Sequence, residues 1–351
     1  MKKITFLISS LAGGGAEGVC VNLANGLSKI GWEVELVVLN MNNSVFHKNL
    51  DKKVKLVVLN VNNARFSLFL LVRYFKKIKL KKVVVFNYEL TVMTILARYF
   101  CRNKFKVIAR NINTISQNRS LEKTAYKVFI RKMVDFFYKK ADQDDLVNFY
   151  PEVKNKVRVI YNPVRMQIET YTNTYDFQNI EKENYILCVG RLEKQKAFHY
   201  AIEAFAKLTV QFPALRLKIV GKGSLENELK ELSINLGIMD RIDFEGFSED
   251  IISYYSKAKL VWLTSLYEGF PNVLIESISL GTPVVAFDCP SGSSEIITED
   301  NGCLVEYLSS DDLVEKTTFA LNKNWDYKQV YNTASKYKIE NIINQWEEVC
   351  V

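Results

Sequence analysis

Two glutamates eight positions apart, Glu268 and Glu276, enclose a loop and the start of a predicted helix. The loop follows an apolar strand predicted at Leu260–Leu263, and ligands of open parallel sheets bind at the carboxyl ends of strands. A loop carboxylate at this edge can accept hydrogen bonds from sugar hydroxyls, and one about a turn into the helix can reach a ribose diol. A lone glutamate is ordinarily a surface acid, but the two in this order predict a site for a sugar and a nucleotide.

A basic loop, Arg191 to Lys196, follows the first predicted strand of the second half, Tyr185–Val189, and precedes a helix. Arg offers a planar fork of donors, Lys a point charge, and the helix dipole adds positive potential. Together they predict a diphosphate clamp, although a basic loop alone is usually only a solvated surface. After the next strand, the backbone amides of Gly221 and Gly223 are predicted to face a phosphate.

Near the start of the chain, Gly13, Gly15 and Gly18 have the G-x-G-x-x-G spacing of a dinucleotide-binding loop between a strand and a helix. Glycines let a ligand approach the backbone, and a helix N-terminus favours an anion. Glu33 and Glu35 lie near the distance at which such a loop has its ribose-binding acid. The spacing alone is a weak signal, and a tight turn without a ligand remains an alternative.

The composition is that of a globular protein of two or three domains. Of the 351 residues, 48% are hydrophobic and 25% are charged, which excludes a disordered or low-complexity chain. No window has the roughly 18 uncharged apolar residues of a membrane span. The short basic start runs into Gly13–Gly15 too soon for a signal peptide, which needs a longer apolar stretch and a cleavage site of small residues. The six cysteines are scattered without a C-x-x-C pair, which predicts a reducing compartment and no structural metal.

The net charge of +8 is unevenly distributed. Residues 1–165 have 30 Lys and Arg against 11 Asp and Glu, whereas residues 166–351 have 17 against 28. Two predicted helices of the basic half, Phe66–Lys82 and Leu121–Lys140, combine cations with large apolar side chains. A Lys or Arg near an anionic membrane contributes about 1 kcal/mol, so we expect these helices to face such a surface. The alternative is that they are ordinary amphipathic helices packed on the sheet.

Short β-rich segments alternate with helical patterns along the chain, which predicts an α/β protein with two Rossmann-like, doubly wound domains. We place the linker at Tyr161–Glu183, where an Asn-Pro pair and a polar stretch of low hydrophobicity occur. The predicted domains are residues 1–166 and 167–334. The closing segment Tyr331–Val351 is predicted to be helical, and its part from about residue 335 onward is expected to pack back on the first domain.

These motifs, in this order, resemble glycosyltransferase family four, the retaining GT-B enzymes of bacterial polysaccharide and glycolipid assembly. The resemblance implies two domains facing a central cleft and transfer of a sugar from a nucleotide diphosphate donor, usually without a metal. It implies catalytic roles for Arg191 and Lys196 on the donor diphosphate and for Glu268 at the donor sugar. Glu276 would hold the ribose and Phe247 would lie near the base. The other implied binding residues are Gly14, Gly15, Gly221, Gly223, Gly269, Phe270, Pro271, Asn272, Ser293 and Ser294.

The sequence departs from the family pattern in four places. Ala197 stands where a glycine usually follows the clamp lysine, and Gly18 replaces a residue that is often basic. Arg110–Asn113 stands where many members have a histidine, so Asn111 or Asn113 would offer only hydrogen bonds. The segment around 141–145 is shorter than in relatives by about ten residues.

We therefore expect a retaining hexosyltransferase that is peripheral on the cytoplasmic face of the inner membrane. Its partners would be a nucleotide sugar, a lipid-linked or oligosaccharide acceptor and an anionic membrane surface, with no cofactor, metal or nucleic acid. UDP is the expected nucleotide because Cys289–Gly292 resembles members that use UDP-N-acetylhexosamines or UDP-galactose. Asp142 and Asp144 are interpreted as a chance metal motif because they follow a basic helix rather than an apolar strand.

Three alternatives remain open at this point. A UDP-sugar epimerase, a phosphorylase or another GT-B enzyme would need a carboxylate–histidine set or a cofactor lysine, and neither is evident. An NAD-dependent oxidoreductase would use the loop Gly13–Gly18. A basic protein that binds nucleic acid would need an aromatic–basic motif for reading bases, which the sequence lacks.

Overall fold

The computed structural model divides into two compact units, Met1–Arg165 with Ile339–Val351, and Met166–Lys338. The structure describes residues 2–12, 14–78, 80–102, 104–110, 158–177, 180–290 and 292–351. The second predicted basic helix, Asn111, Asn113, Asp142 and Asp144 lie outside the described residues.

The N-terminal unit contains a five-stranded parallel sheet in the order β3-β2-β1-β4-β5. Its central strands are runs of Val, Ile, Leu and Phe that are buried on both faces, as parallel sheets covered by helices require. The strands are β1 Lys3–Ile8, β2 Glu33–Val38, β3 Lys55–Val58, β4 Lys82–Phe86 and β5 Lys106–Arg110. The helices described here are α1 Gly15–Lys29, α2 Leu68–Lys77 and α3 Tyr88–Tyr99.

The last helix of the chain, Ile339–Cys350, belongs to the N-terminal unit and packs on α1. The two helices approach closely at Gly26, where a Cβ atom would lie 2.4 Å from Cδ1 of Ile343. Lys82 on β4 donates from Nζ to two carbonyl oxygens at the C-terminal end of this helix. A cation in that position satisfies carbonyls that the helix leaves unbonded and complements its dipole.

The C-terminal unit contains a six-stranded parallel sheet in the order β11-β10-β9-β6-β7-β8. The strands are β6 Tyr185–Val189, β7 Arg216–Val220, β8 Ile242–Gly246, β9 Leu260–Leu263, β10 Val284–Phe287 and β11 Gly302–Val305. The helices are α4 Met166–Thr172, α5 Phe198–Gln211, α6 Glu226–Asn235, α7 Ile251–Lys257, α8 Asn272–Ser279, α9 Ser293–Ile296, α10 Ser310–Asn322 and α11 Tyr327–Thr333. In chain order, the helix Ile339–Cys350 of the N-terminal unit is α12. The order reverses between β6 and β9, so the loops after these two strands meet at the switch point where ligands of wound sheets bind.

The prediction of two doubly wound α/β sheets is confirmed, but three element predictions were wrong in detail. The segment taken for a linker contains helix α4. The helix predicted at Phe66–Lys82 ends at Lys77 because the chain turns extended at Ile78. The predicted C-terminal helix is interrupted by a 3-10 turn, Ser335–Tyr337, before α12 begins. No helix in the described ranges is long and apolar enough to cross a membrane.

Candidate functional site

The loops after β6 and β9 are joined by a set of hydrogen bonds at the switch point of the C-terminal sheet. The Leu266 amide donates to the Gln195 carbonyl oxygen at 2.8 Å, and the Gln195 side chain donates to the Tyr267 carbonyl oxygen at 3.0 Å. The Thr264 hydroxyl donates to the Lys196 carbonyl oxygen at 3.0 Å. These bonds hold the backbone of the predicted diphosphate clamp against the backbone that leads to Glu268.

Two of the predicted catalytic residues, Lys196 and Glu268, form an ion pair, with Lys196 Nζ 2.5 Å from Glu268 Oε1. Their side chains are only 14% and 9% exposed, and the Ser265 hydroxyl donates to the same carboxylate oxygen at 2.6 Å. The Lys196 side chain runs across Gly190, where a Cβ atom would lie 2.9 Å from its Cε. The missing side chain at Gly190 therefore leaves the space through which Lys196 reaches Glu268.

The second glutamate, Glu276, lies one turn into α8 and is 3% exposed. The hydroxyl of Tyr255, a fully buried residue of α7, donates to Glu276 Oε2 at 3.1 Å. Tyr255 is itself held at its carbonyl oxygen by the Thr282 hydroxyl at 2.7 Å. A buried carboxylate with such a donor is fixed in one orientation, as the recognition of a diol requires.

Gly221 and Gly223 serve close backbone packing. A Cβ atom on Gly221 would lie 1.8 Å from the Gly190 carbonyl oxygen, and one on Gly223 would lie 2.2 Å from that of Leu192. The Gly221 amide donates to the Gly246 carbonyl oxygen at 2.7 Å. The prediction that this amide faces a phosphate is therefore wrong, because its hydrogen is used within the sheet edge.

Two of the remaining predicted residues of the C-terminal unit, Arg191 and Phe247, have exposed side chains. Arg191 is exposed, and its charge, after the hydrogen bonds from Ser224, helps to hold the pKa of the Glu193 carboxyl below its usual range. Phe247, directly after β8, is 52% exposed. Among the described residues, neither side chain forms a hydrogen bond or an ion pair with Lys196 or Glu268.

The loop that leads into α8 lies beside the segment before α9. Gly292, with φ +108°, brings this segment so close that a Cβ atom would lie 2.7 Å from Pro271 Cδ. The members of these two segments predicted to bind the donor are Gly269, Phe270, Pro271, Asn272, Ser293 and Ser294. Ser293 is buried and Ser294 is exposed. The structure thus brings the two predicted binding segments together.

In the N-terminal unit, the carboxylate of Glu17 lies against the glycine loop that precedes it. Gly14 is the N-cap of α1 and Gly15 its first residue. The Glu17 carboxylate folds back so that Oε2 lies 2.2 Å from where a Cβ on Gly14 would be. Glu17 is the third residue of α1 and puts a negative charge at the helix N-terminus.

The dinucleotide interpretation of this loop is contradicted by the positions of its acids. Glu33 lies at the amino end of β2 and pairs with Lys3. Glu35 is 2% exposed within the strand, 2.6 Å from Lys55 Nζ, and accepts from the Tyr74 hydroxyl. Neither carboxylate reaches the carboxyl edge of the sheet, where a ribose would lie.

Two residues of the site were missed by the sequence interpretation. Ser265 could have been found, because it precedes Glu268 by three positions after an apolar strand, the spacing at which a hydroxyl and a carboxylate meet in a turn. Tyr255 carries no local signal, since it lies 21 positions before its partner Glu276. Among the described residues, no group of three or more His, Cys, Asp or Glu is placed to hold a metal ion.

Comparison with known proteins finds similarity to glycosyltransferases. Residues 172–337 match the family described as Glycosyl transferases group 1. An uncharacterized glycosyltransferase of Haemophilus influenzae is 27% identical, over 99% of this chain and 100% of the relative. The Campylobacter jejuni N-acetylgalactosamine-N,N'-diacetylbacillosaminyl-diphospho-undecaprenol 4-alpha-N-acetylgalactosaminyltransferase is 29% identical over 87% of this chain and 86% of its own.

Solved structures share the fold of the whole chain. HepE of Anabaena, in complex with UDP-glucose, matches 99% of this chain and 98% of its own, with a TM-score of 0.76 at 18% identity. The two wound sheets correspond to the GT-B architecture. Residues 172–337 thus match a glycosyltransferase family, and curated glycosyltransferases are similar to nearly the whole chain, in agreement with the resemblance of its motifs to family four.

Proposed function

We propose that the protein is a retaining hexosyltransferase that moves a hexose or N-acetylhexosamine from a UDP-sugar to a lipid-linked or polysaccharide-precursor acceptor. In this proposal Arg191 and Lys196 stabilise the diphosphate that leaves, and Glu268 faces the donor sugar. Glu276 accepts hydrogen bonds from the ribose. The reaction uses no cofactor and no metal.

The buried pair of Lys196 and Glu268 at the switch point is the observation that carries this proposal. Without a ligand each charge is satisfied by the other, so neither is left uncompensated in a site of low exposure. A donor diphosphate would take over the ammonium, and the carboxylate would turn to hydroxyls of the sugar. Positive groups fixed where negative charge develops lower the barrier most in such water-poor sites.

The relatives support the finer parts of the proposal. The Campylobacter relative is named for transfer to a sugar carried on diphospho-undecaprenol, which supports a lipid-linked acceptor. The solved HepE structure holds UDP-glucose, which supports UDP as the nucleotide.

The test of the clamp is Lys196→Ala, with Lys194→Ala as its matched control. Lys194 lies in the same 3-10 turn but is exposed. Removing a positioned cation from the leaving group should lower kcat about 100-fold, whereas the control should keep the rate of the wild type. The assay is transfer from a panel of UDP-, GDP- and CMP-sugars, chosen first by thermal stabilisation. Equal rates in the two variants would contradict the clamp.

Two further measurements bear on the chemistry. NMR of the product should show the anomeric configuration of the donor, and inversion would contradict the retaining mechanism. Activity should survive treatment with EDTA. Loss of activity that manganese restores would contradict metal independence and would make Asp142 and Asp144 candidate metal ligands.

The surface that we propose to bind the membrane is the exposed face of α2 together with the turn before it. Phe66 and Phe69 are 61% and 86% exposed, and Arg73, Lys76 and Lys77 continue the same face at helical spacing. Aromatic side chains can enter the headgroup region while the cations contact anionic lipid. Lys82, which was predicted to belong to this basic helix, lies on β4 and is engaged by the last helix.

Charge reversal separates this surface from the general basic field. Lys76→Glu with Lys77→Glu should abolish sedimentation with vesicles that contain phosphatidylglycerol, while donor hydrolysis stays near the wild-type rate. Lys52→Glu with Lys53→Glu changes the net charge equally at another exposed site of the same unit and should retain most of the binding. If both pairs reduce binding equally, or if the wild type never sediments, the assignment of α2 is wrong.

A further inference from the structure

Arg110 ends the edge strand of the N-terminal sheet, at the carboxyl edge. Its guanidinium lies over the ring of Phe86, the last residue of β4, with Cζ 5.0 Å from the ring centre. Nη2 donates to the Asn162 side-chain oxygen. The charge therefore lies over the ends of two neighbouring strands, at the edge where wound sheets bind ligands.

The guanidinium lacks a counter-charge in the part of the chain that the structure describes. Nη1 is buried, and no atom of the described residues accepts its hydrogens. Burial lowers the pKa of Arg110 to about 10, and the ionisable group that acts against this shift is the buried thiol of Cys20. Burial raises the pKa of that thiol, so it is neutral and supplies no negative charge.

Such an arrangement destabilises the unliganded fold. A buried donor without an acceptor costs more than a typical hydrogen bond contributes, and a charged one costs more again. An apolar side chain of similar length would fill the same space without that cost. The planar fork of an arginine with free donors matches two oxygens of a phosphate, which makes phosphate the ligand class that fits best.

We propose that Arg110, oriented by Asn162, binds a phosphate group of the acceptor substrate. This inference rests on the proposed function, in which the donor diphosphate is held by Lys196 and Arg191 of the other unit. A second phosphate-bearing ligand is then the lipid diphosphate of the acceptor. The site belongs to the N-terminal unit alone, since both of its polar residues and Phe86 lie there.

The first test uses inorganic pyrophosphate and needs no acceptor. In the Lys196→Ala background, which weakens the donor site, pyrophosphate should raise the melting temperature of the protein. Adding Arg110→Met should abolish that rise, while the melting temperature without pyrophosphate stays the same or increases. The exposed neighbour Arg102, changed to Met in the same background, should leave the rise intact. A lower melting temperature with an unchanged response to pyrophosphate would assign Arg110 a purely structural role and overturn the proposal.

The second test separates the possible sources of the phosphate. In the otherwise wild-type enzyme, Arg110→Met should raise KM for a lipid-diphosphate acceptor more than tenfold and leave KM for the donor unchanged. Arg110→Lys should recover part of the loss because it restores the charge without the fork. If KM changes for the donor alone, or only for a UDP-hexuronate, the anion belongs to the donor and the acceptor assignment is wrong. Should no lipid diphosphate be an acceptor at all, the proposed function fails, while the pyrophosphate test still reports on Arg110.

Discussion

The carboxyl edges of the two sheets are built differently, although both sheets have the same wound order. In the C-terminal unit the charged side chains meet each other, and glycine backbones pack tightly beneath them. In the N-terminal unit the Glu17 carboxylate folds back over Gly14, and Arg110 keeps a buried donor without a partner among the described residues. One edge is organised before a ligand arrives, whereas the other retains an unmet charge.

This difference shows that two sheets of the same architecture can present charged side chains in two ways, paired or unpaired. Hydrogen bonds to its backbone hold Lys196 in place, and the proposed stabilisation of a leaving group would require such a fixed position. In the N-terminal unit, by contrast, the charge of Arg110 would gain its counter-charge only when the proposed phosphate binds. The following changes test how far the C-terminal edge depends on its backbone, beginning with the largest expected effect.

Gly221→Ala should lower the free energy of unfolding of the C-terminal unit by about 3 kcal/mol. Its Cβ would lie 1.8 Å from the Gly190 carbonyl oxygen, and backbone atoms cannot move aside as a side-chain end can. Gly237→Ala is the matched control, since it has φ +68° but nothing within 4 Å of its Cβ, and it should cost only about 1 kcal/mol. Urea unfolding followed by tryptophan fluorescence measures both.

Equal losses from these two glycine changes would mean that backbone strain alone explains Gly221. The close approach of the loops after β6 and β7 would then contribute nothing measurable, and the contrast between the two sheet edges would rest on side chains only.

The tight C-terminal edge is also the part that the sequence revealed best. The edge that Glu268, Glu276 and Lys196 occupy could be predicted because each lies in the loop, or early in the helix, that comes after an apolar strand. The role of Gly221 could not, because a glycine that donates an amide and one that allows close packing look the same in sequence.

The N-terminal edge was harder to predict because its signals come from distant positions. Arg110 becomes unusual only when Phe86 and Asn162 are packed around it, 24 and 52 positions away. The formal dinucleotide spacing gave a wrong interpretation, since it does not specify where along β2 the acid lies. Helix α4 was missed because its seven residues are mostly polar.

The next change removes one side-chain support of the donor site. Tyr255→Phe deletes the hydroxyl that donates to Glu276, and one such bond is worth about 1 kcal/mol. The Kd for UDP should therefore rise about fivefold. Because the effect acts through the ribose, the Kd for 2′,3′-dideoxy-UDP should stay the same, as calorimetric titration of both nucleotides would show.

Its neighbour on the same helix provides the control for Tyr255. The Tyr254 hydroxyl donates to Glu245 at 3.0 Å on the exposed side of α7, so Tyr254→Phe removes a comparable bond away from Glu276. That variant should bind both nucleotides like the wild type. If Tyr255→Phe weakens the dideoxy nucleotide as much as UDP, Tyr255 supports the fold and does not position Glu276.

The smallest expected effect concerns Ala197, which has φ +47° between the clamp turn and helix α5. A residue with a Cβ atom is strained in this left-handed conformation by about 1 kcal/mol, and glycine is not. Ala197→Gly should therefore stabilise the C-terminal unit by slightly less than that, because glycine also makes the unfolded chain more flexible. At Ala206, inside α5, the same change should destabilise by about 1 kcal/mol. Opposite signs in urea unfolding, with turnover retained in both variants, would show that the clamp turn holds its conformation against local strain. Ala197 is 1% exposed, so its methyl group is buried. If Ala197→Gly were destabilising instead, packing of that methyl group, and not backbone strain, would determine the stability of the turn that holds Lys196.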